Sequence, residues 1–239
     1  MINNLKNIGI VIQARMGSSR LFGKVLKKIN NKELLKYIID QLVVFKNKYK
    51  IVITTSNKKK DDVIEEFCKK NNILCFRGSE DDVLDRYYMT AKKFKLKHII
   101  RFTGDNILID IENFKNLIQE HFNNNADYSS NKLEVNSGLP IGVGMEIFTF
   151  NALEKSWQKG KEDHHREHVN EYILENPVKF KILKVKGVGK NLKICKDLIL
   201  TIDTKKDFQF MQNIVLLLSK KKLKFNLENI IFLKKHNYI

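Results

Sequence analysis

Apolar residues in the first half of the chain recur with two alternating periods. Short continuous apolar runs, typical of buried strands, alternate with stretches in which apolar residues return every three to four positions, as they do in helices. In chain order these segments are strand 8–12, helix 32–45, strand 51–55, helix 61–70, strand 73–76, helix 81–94 and strand 98–102. Strands and amphipathic helices in this order build a mostly parallel sheet with helices on both faces. The pattern therefore predicts an α/β fold whose ligands bind beyond the carboxyl ends of the strands.

The second half of the chain follows a less regular pattern. A polar, glycine-bearing stretch over 129–144 comes first. The elements predicted after it are strands over 145–150, 180–185 and 198–202, and helices that begin at Asn151, run over 164–175 and begin after Thr204. No long linker rich in Pro, Gly or Ser interrupts the chain. We therefore predict a single domain over 1–239, in which residues 129–190 form a lid, a dimerisation subregion or both.

Composition excludes several classes of protein. Hydrophobic residues make up 43% of the 239 positions, which is enough for a sizeable core. No apolar run reaches the ~18 residues that a membrane span needs, and the first residues lack the pattern of a secretory signal. Cys68, Cys75 and Cys195 are scattered and lack metal-ligand spacing. Such cysteines are typical of buried thiols in a reducing compartment, so we expect a cytoplasmic protein without a membrane partner.

The net charge of +17, from 44 Lys and Arg against 27 Asp and Glu, raises the question of nucleic acid. A nucleic-acid surface would gather the basic residues on one face with aromatic residues between them. Here the lysines form short runs spread over the chain, such as 58–60 and 220–222. This spread favours a solvated surface over a nucleic-acid partner, while the overall field attracts anionic ligands.

The loop after the first strand concentrates basic side chains. Arg15, Arg20 and Lys24 lie four or five positions apart, with Gly17 and Gly23 between them. Glycines let the backbone approach a bound group closely, and a basic loop at a strand end suits a polyphosphate. Neither G-x-x-x-x-G-K-[ST] nor G-x-G-x-x-G is present. On these residues alone, a phosphate cradle is favoured over an exposed basic turn.

Five blocks of sequence carry a resemblance that extends through almost the whole chain. They are Ile-Gln-Ala-Arg-Met-Gly-Ser-Ser-Arg-Leu-Phe-Gly-Lys-Val-Leu at 12–26, Phe-Arg-Gly-Ser-Glu-Asp-Asp-Val-Leu-Asp-Arg-Tyr at 76–87, Arg-Phe-Thr-Gly-Asp-Asn-Ile-Leu-Ile-Asp at 101–110, His-Arg-Glu-His-Val at 165–169 and Leu-Thr-Ile-Asp-Thr at 200–204. In this order the blocks resemble the signatures of the spore coat polysaccharide biosynthesis cytidylyltransferase family, relatives of the enzymes that make CMP-sialic acid and CMP-3-deoxy-manno-octulosonate. Phe22 and Ile107 depart from the family, which usually has Pro at both positions.

The resemblance implies a Rossmann-like nucleotidyltransferase fold, a homodimer, and the transfer of CMP from CTP to a sugar acid or sugar phosphate with release of pyrophosphate. It implies catalytic roles for Arg15, Lys24 and Asp105. The nucleotide-binding residues that it implies are Gln13, Ala14, Arg15, Gly17, Ser18, Ser19, Arg20 and Lys24, with Arg77, Gly78 and Asp85 on the cytidine side.

Two carboxylates lie where predicted strands end. Asp105 follows the strand 98–102, and Asp203 follows the predicted strand 198–202. On spacing alone, each has an ordinary alternative, since Asp105 suits a turn after Gly104 and Asp203 suits a helix N-cap. Together they would hold one Mg²⁺ with triphosphate oxygens and waters, and the resemblance favours this role.

On the acceptor side, the resemblance implies that Glu146, His165 and Arg166 contact the sugar. Gly144 stands where the family often has an acidic residue, so one acceptor contact is missing. His164 and His168 fall on one helical face, but the pattern is not H-E-x-x-H, which argues against a zinc site.

Two other functions remain open at this point. A glycosyltransferase of similar architecture would consume a nucleotide sugar, and it is expected to carry Asp-x-Asp at a strand end, whereas this chain has Thr103-Gly104-Asp105. A non-enzymatic module that binds polyanions would have no use for Asp105. Both alternatives fit the motifs less well than a cytidylyltransferase does.

Overall fold

The computed structural model describes residues 7–239. Residues 1–6, the stretch that lacks a signal pattern by sequence, lie outside the described part. The strands are β1 (Ile8–Gln13), β2 (Lys28–Ile29), β3 (Lys32–Glu33), β4 (Lys50–Ser56), β5 (Leu74–Gly78), β6 (His98–Thr103), β7 (Tyr128–Ser130), β8 (Glu146–Thr149) and β9 (Ile182–Lys184). The helices are α1 (Leu34–Leu42), α2 (Asp62–Lys70), α3 (Val83–Lys93), α4 (Ile111–Asn123), α5 (Phe150–Lys159), α6 (Asp163–Glu167), α7 (Glu171–Glu175), α8 (Lys205–Lys220) and α9 (Leu227–Lys235).

Seven strands form one mixed sheet in the order β5-β4-β1-β6-β8-β7-β9. The pairs that β1 makes with β4 and β6 are parallel, as are β4 with β5 and β7 with β9. Only β8 runs antiparallel to both of its neighbours. The prediction of a mostly parallel sheet is therefore confirmed, and β2 and β3 form a separate small hairpin.

Side chains that alternate along β1 enter two different hydrophobic cores. Ile10 and Ile12 pack in a core with the buried faces of α1, α2, α4, α8 and α9. Val11 packs on the other face of the sheet, with α3, α5 and α7. Successive side chains of a strand point to opposite faces, so the consecutive apolar residues Ile10, Val11 and Ile12 of β1 supply both cores. Helices cover both faces, as the sequence predicts.

Two predicted elements are wrong in detail. The helix predicted over 164–175 is two short helices, α6 and α7, because His168 adopts an extended backbone between them. Val169 and Ile173 are both buried, so the apolar spacing that suggested one helix survives the break. The strand predicted over 198–202 makes a single bridge, between Ile141 and Ile199, because within residues 7–239 no strand lies beside it to complete a ladder.

Several elements have no counterpart among the sequence predictions: the hairpin β2–β3, α4, β7 and α9. The antiparallel strand β8 lies between β6 and β7, so part of the stretch 129–190 is built into the main sheet. Within the described residues, no helix has both the length and the apolar character that a membrane crossing requires.

Candidate functional site

The basic loop begins where β1 ends and is closed by its own backbone. The N–H of Gly23 donates to the carbonyl of Met16 at 2.9 Å, and Gly23 itself has a left-handed φ of 65°. The N–H of Met16 donates to the Asp61 carboxylate at 2.6 Å, which ties the loop to the chain just before α2. Phe22 is 64% exposed in this loop, and it leaves φ unfixed where Pro would fix it.

Lys24 joins the two predicted carboxylates. Its Nζ donates to Asp105 Oδ2 at 2.7 Å and to Asp203 Oδ1 at 2.8 Å. Arg20 adds a second cation, with its guanidinium 3.2 Å from Asp203 Oδ1. Asp203 reaches this position without a strand, because the N–H of Ile202 donates to the carbonyl of Asp105 at 3.1 Å. Thr204, rather than Asp203, is the N-cap of α8. The Asp203 carboxylate is therefore not used to cap that helix.

A cavity of about 430 Å³ opens above these residues, at the carboxyl ends of β1 and β6. The predicted site residues that line it are Gln13, Ala14, Arg15, Gly17, Ser18, Ser19, Arg20, Lys24, Asp105 and Asp203. A larger cavity of about 670 Å³ lies between the loop 188–192 and α9, and it contains none of the predicted site residues. The smaller cavity is therefore the candidate active site, in the position that strand ends give to ligands of parallel sheets.

Five further polar residues line the same cavity but are absent from the predicted set: Arg86, Arg101, Thr103, Glu167 and His168. All five belong to the sequence blocks that resemble the family, so their place in those blocks was the available signal. Five cations (Arg15, Arg20, Lys24, Arg86 and Arg101) face three carboxylates (Asp105, Glu167 and Asp203) in this cavity. The excess of positive charge favours an anionic ligand.

Three residues predicted on the cytidine side lie outside the cavity. Arg77 pairs with Asp62 at 2.6 Å and with Glu65 at 2.9 Å, and these carboxylates raise the pKa of its guanidinium. The carbonyl of Gly78 accepts from the N–H of Asn57 at 2.8 Å. Asp85 accepts from the Trp157 indole at 2.8 Å. All three are engaged in contacts that hold neighbouring elements together.

Arg166 and His165, predicted to contact the acceptor, are also engaged elsewhere. Arg166 Nε donates to Asp82 Oδ2 at 2.8 Å, and its Nη1 donates to the carbonyl of Trp157 at 3.0 Å. These bonds hold α6 against the start of α3. Glu167 and His168, the next two residues in the same block, line the cavity instead.

His164 and His165 converge on Glu175 rather than pairing with His168. Their Nε2 atoms lie 2.7 Å and 2.6 Å from the two carboxylate oxygens of Glu175. These hydrogen bonds from the two histidines lower the pKa of Glu175. Because His165 Nδ1 accepts from the backbone N–H of Glu162 at 3.3 Å, its Nε2 carries the proton and donates to Glu175. The three side chains form a clamp between α6 and α7.

Glu146 is fully buried and acts on the cavity through Arg101. It accepts from Arg101 Nη1 at 2.6 Å, from Lys132 Nζ at 2.8 Å and from the Tyr128 hydroxyl at 2.5 Å. Burial alone raises the pKa of Glu146, but the charges of Lys132 and Arg101 outweigh it and lower the pKa to about 2. Arg101 also donates to Gln13 Oε1, at 3.2 Å from Nη2. Glu146 thus orients an arginine that lines the cavity.

The contacts of Gly144 exclude the acidic residue that the family often has there. A Cβ atom at Gly144 would lie 2.4 Å from Lys132 Cα and 2.7 Å from the carbonyl oxygen of Asn131. Both neighbours are backbone atoms, which cannot move aside cheaply.

The fold and this cavity together define a nucleotidyltransferase-type enzyme, with a basic loop after β1 and two carboxylates, Asp105 and Asp203, at one edge of a mixed sheet. The chain belongs to the cytidylyltransferase family, whose model matches residues 9–239. The family that the sequence blocks resemble is therefore confirmed.

Three similar proteins extend over most of the chain. An uncharacterised protein of Methanocaldococcus jannaschii is 40% identical over 215 residues, which cover 87% of this chain and 86% of that protein. The spore coat polysaccharide biosynthesis protein SpsF of Bacillus subtilis is 35% identical over 210 residues, covering 86% of this chain and 85% of SpsF. The structure of a cytidylyltransferase from Leptospira borgpetersenii superposes with a TM-score of 0.85 at 31% identity, covering 97% of this chain and 95% of that one.

Proposed function

We propose that this enzyme transfers CMP from CTP to a small anionic sugar, a sugar acid or a sugar phosphate, with release of pyrophosphate, in the synthesis of a surface glycan. The contact of Lys24 with both Asp105 and Asp203, beside the basic loop, carries the proposal. Family membership supports CTP as the nucleotide. The name of the Bacillus subtilis relative supports a polysaccharide pathway.

Arg15, Arg20 and Lys24 would bind the β- and γ-phosphates. Their charges offset the negative charge that develops on the departing pyrophosphate, which is the main demand of phosphoryl chemistry. Gln13 and Ala14 lie at the end of β1, where the nucleoside would pass between loop and sheet. The enzyme must also align the acceptor oxygen with the α-phosphorus. Such alignment lowers the activation barrier, because the translational and rotational entropy is lost on binding and not in the reaction step.

The donor set fits Mg²⁺, because two carboxylates meet at one point and are both open to the cavity. Asp105 and Asp203 would hold the ion, with phosphate oxygens and waters as the other ligands. When bound, Mg²⁺ supplies charge neutralisation and polarises the α-phosphate. Lys24 already neutralises part of the charge of the two carboxylates, so it keeps them close together before any cation binds.

On the acceptor side, Arg101 would bind the sugar anion, held in place by Glu146 and Gln13. His165 and Arg166 would act on the acceptor indirectly, because they fix α6 and thereby place Glu167 and His168 at the cavity wall. Arg77, Gly78 and Asp85 would likewise support the nucleoside side through the segments that they hold.

Pyrophosphate release tests this function. Each of the four nucleoside triphosphates is offered with Mg²⁺ and a panel of sugar acids and sugar phosphates. We expect turnover of CTP with one acceptor, a loss of about 10²–10³ in kcat for Lys24→Met, and a higher Mg²⁺ requirement for Asp203→Asn. Lys28→Met removes the same charge four positions further on, outside the cavity, and serves as the matched control.

The outcome separates the competing functions. If no triphosphate releases pyrophosphate but a nucleotide sugar is consumed, the enzyme is a glycosyltransferase. If neither is consumed and Lys24→Met binds triphosphate as the original protein does, the proposal fails.

We also propose that the enzyme is a cytoplasmic homodimer that associates through residues 129–190. The free cysteines support the compartment. Ile141, Leu174 and Val178 expose apolar surface in that stretch, and Val178 is 99% exposed. Sedimentation analysis of the original protein and of Val178→Asp tests the dimer. If the original protein and Val178→Asp are both monomeric, the dimer is refuted and a lid is the role that remains for residues 129–190.

A further inference from the structure

Arg86 is a buried arginine that forms no ion pair with any carboxylate among residues 7–239. It lies in the first turns of α3 with 2% of its surface exposed, and it lines the candidate active site. Its Nη1 donates to the backbone carbonyls of Ser79 and Glu80, the latter at 3.1 Å. Its Nε is buried and has no hydrogen-bond partner among residues 7–239. No carboxylate of the described residues forms an ion pair with it, in contrast to Arg77 and Arg101.

A buried guanidinium without a counter-charge is costly, and proteins normally pair such a group. Burial lowers the pKa of Arg86 and the charge of Arg15 lowers it further, while Tyr87 and the carboxylates of Asp61 and Glu80, none of which forms an ion pair with it, act in the opposite direction. An arginine stays protonated in proteins. The cost therefore remains in the ligand-free molecule. Two backbone carbonyls reduce it only in part, because they carry no net charge.

The surroundings of Arg86 place it in a distinct part of the cavity. The Tyr87 hydroxyl donates to the carbonyl of Phe102 at 3.1 Å, which packs α3 across the carboxyl end of β6. Val11 lies in the core under α3, and side chains two positions apart share a face, so Gln13 faces the same way. Arg86 thus borders the part of the cavity that Gln13 and Arg101 line, on the α3 side of the sheet.

We propose that Arg86 is a ligand-binding residue that holds an anionic oxygen group in this part of the cavity. The inference rests on the proposed function, in which two substrates bring such a group: the carboxylate or phosphate of the acceptor, and the phosphates of the nucleotide. A planar guanidinium with free N–H groups binds either one. The competing explanation is purely structural, in that Arg86 does no more than fasten the Ser79–Glu80 segment to α3.

Binding measurements without turnover test the inference even if no reaction is found. Calorimetry compares the original protein, Arg86→Lys, Arg86→Met and the control Lys92→Met, whose side chain is exposed further along α3. The two probes are inorganic tripolyphosphate and a sugar acid, 3-deoxy-manno-octulosonate. We expect Arg86→Met to weaken the binding of one probe about 10- to 100-fold, as for the loss of a charge-assisted hydrogen bond. Arg86→Lys should lose less, and Lys92→Met should lose nothing.

The probe whose binding falls identifies the source of the anion, and in turnover assays the KM for the same substrate should rise while kcat changes little. If Arg86→Met and Arg86→Lys bind both probes as the original protein does, Arg86 is structural and the inference is overturned. It is overturned equally if the original protein binds neither probe. Should Arg86→Met fail to fold, Arg86→Lys decides the matter, because it keeps the charge but not the planar fork. A failure of the proposed function is recognised separately, by the absence of turnover in the original protein.

Discussion

Replacing Glu146 by Gln isolates the contribution of one buried charge. The substitution keeps the shape of the side chain and an oxygen that accepts from the Tyr128 hydroxyl. It removes the negative charge that Arg101 and Lys132 share, both of which lie within 2.8 Å of Glu146 Oε2. Arg101 is then left as a buried cation without a counter-charge.

The magnitude follows from the pKa. The shift of Glu146 from 4.5 to about 2 corresponds to roughly 3 kcal/mol of stability. Removing one partner of a buried ion pair costs about 3–5 kcal/mol in other proteins. Because the folded-state pKa is depressed, this contribution is fully present above about pH 4.5 and is lost as the pH falls towards 2. Glu146→Gln should therefore be much less stable at pH 7 and should approach the original protein in acid.

Urea unfolding followed by the fluorescence of Trp157, the single tryptophan, measures the difference at pH 7 and again at stepwise lower pH. Asp197→Asn is the control, since it removes a carboxylate from the exposed pair with Lys234 and should leave the midpoint unchanged. The reasoning is refuted if Glu146→Gln unfolds at the original urea concentration. It is also refuted if the difference between the two proteins stays constant from pH 7 to pH 3.

Three further substitutions or conditions probe other parts of the fold. Burial lowers the pKa of His98 to about 4 and of His121 to about 3, so the unfolded chain takes up protons first and stability falls below pH 6.5. Denaturation at pH 5.5 should show that the free energy of unfolding is lower than at pH 7 by about 1.4 kcal/mol for each histidine. The decrease should be smaller in His121→Gln, and a free energy of unfolding that does not change with pH would contradict the prediction. Thr204→Ala removes the hydroxyl that accepts from the N–H of Asp207 at the start of α8 and should lower the free energy of unfolding by about 1 kcal/mol; an unchanged urea midpoint would show that this cap contributes nothing. Gly144→Asp puts a Cβ 2.4 Å from a backbone Cα atom and should abolish the cooperative thermal transition seen by circular dichroism, whereas a normal transition would mean that this turn can move.

The spacing of apolar residues along the chain predicted the main-sheet strands and the helices up to residue 103. The β-α alternation up to residue 103 and the basic loop after β1 follow from side chains that are neighbours in sequence, and both are present. The same reasoning failed at 198–202, because the alternation of a strand is real there but a ladder requires a second strand at the right distance. Which strand lies alongside is a tertiary property.

The candidate site shows the same division. Lys24 was predicted from the basic loop in its immediate sequence, and the family resemblance favoured Asp105 and Asp203 over a turn and a helix cap. The structure brings the three side chains together. Arg166 was predicted to contact the acceptor, whereas its guanidinium donates to the Asp82 carboxylate at the start of α3. That contact depends on how α6 packs against α3, which no periodicity encodes. Sequence patterns indicated residues of the site, but they did not indicate which side chains of distant elements each one contacts.

The contacts of Lys24 link chain segments that are far apart in sequence. Asp105 lies 81 positions and Asp203 179 positions after Lys24, so the three groups meet only when most of the chain has folded. Contacts of such long range carry a loop-closure cost that slows folding. A fragment that ends before Asp203 would lack one corner of the cavity. A ligand bound there stabilises the whole native state by mass action, by about 2.7 kcal/mol at a hundred times its Kd. Occupancy of the cavity and global unfolding are therefore one coupled equilibrium, and the melting temperature of the intact enzyme reports directly on what the site holds.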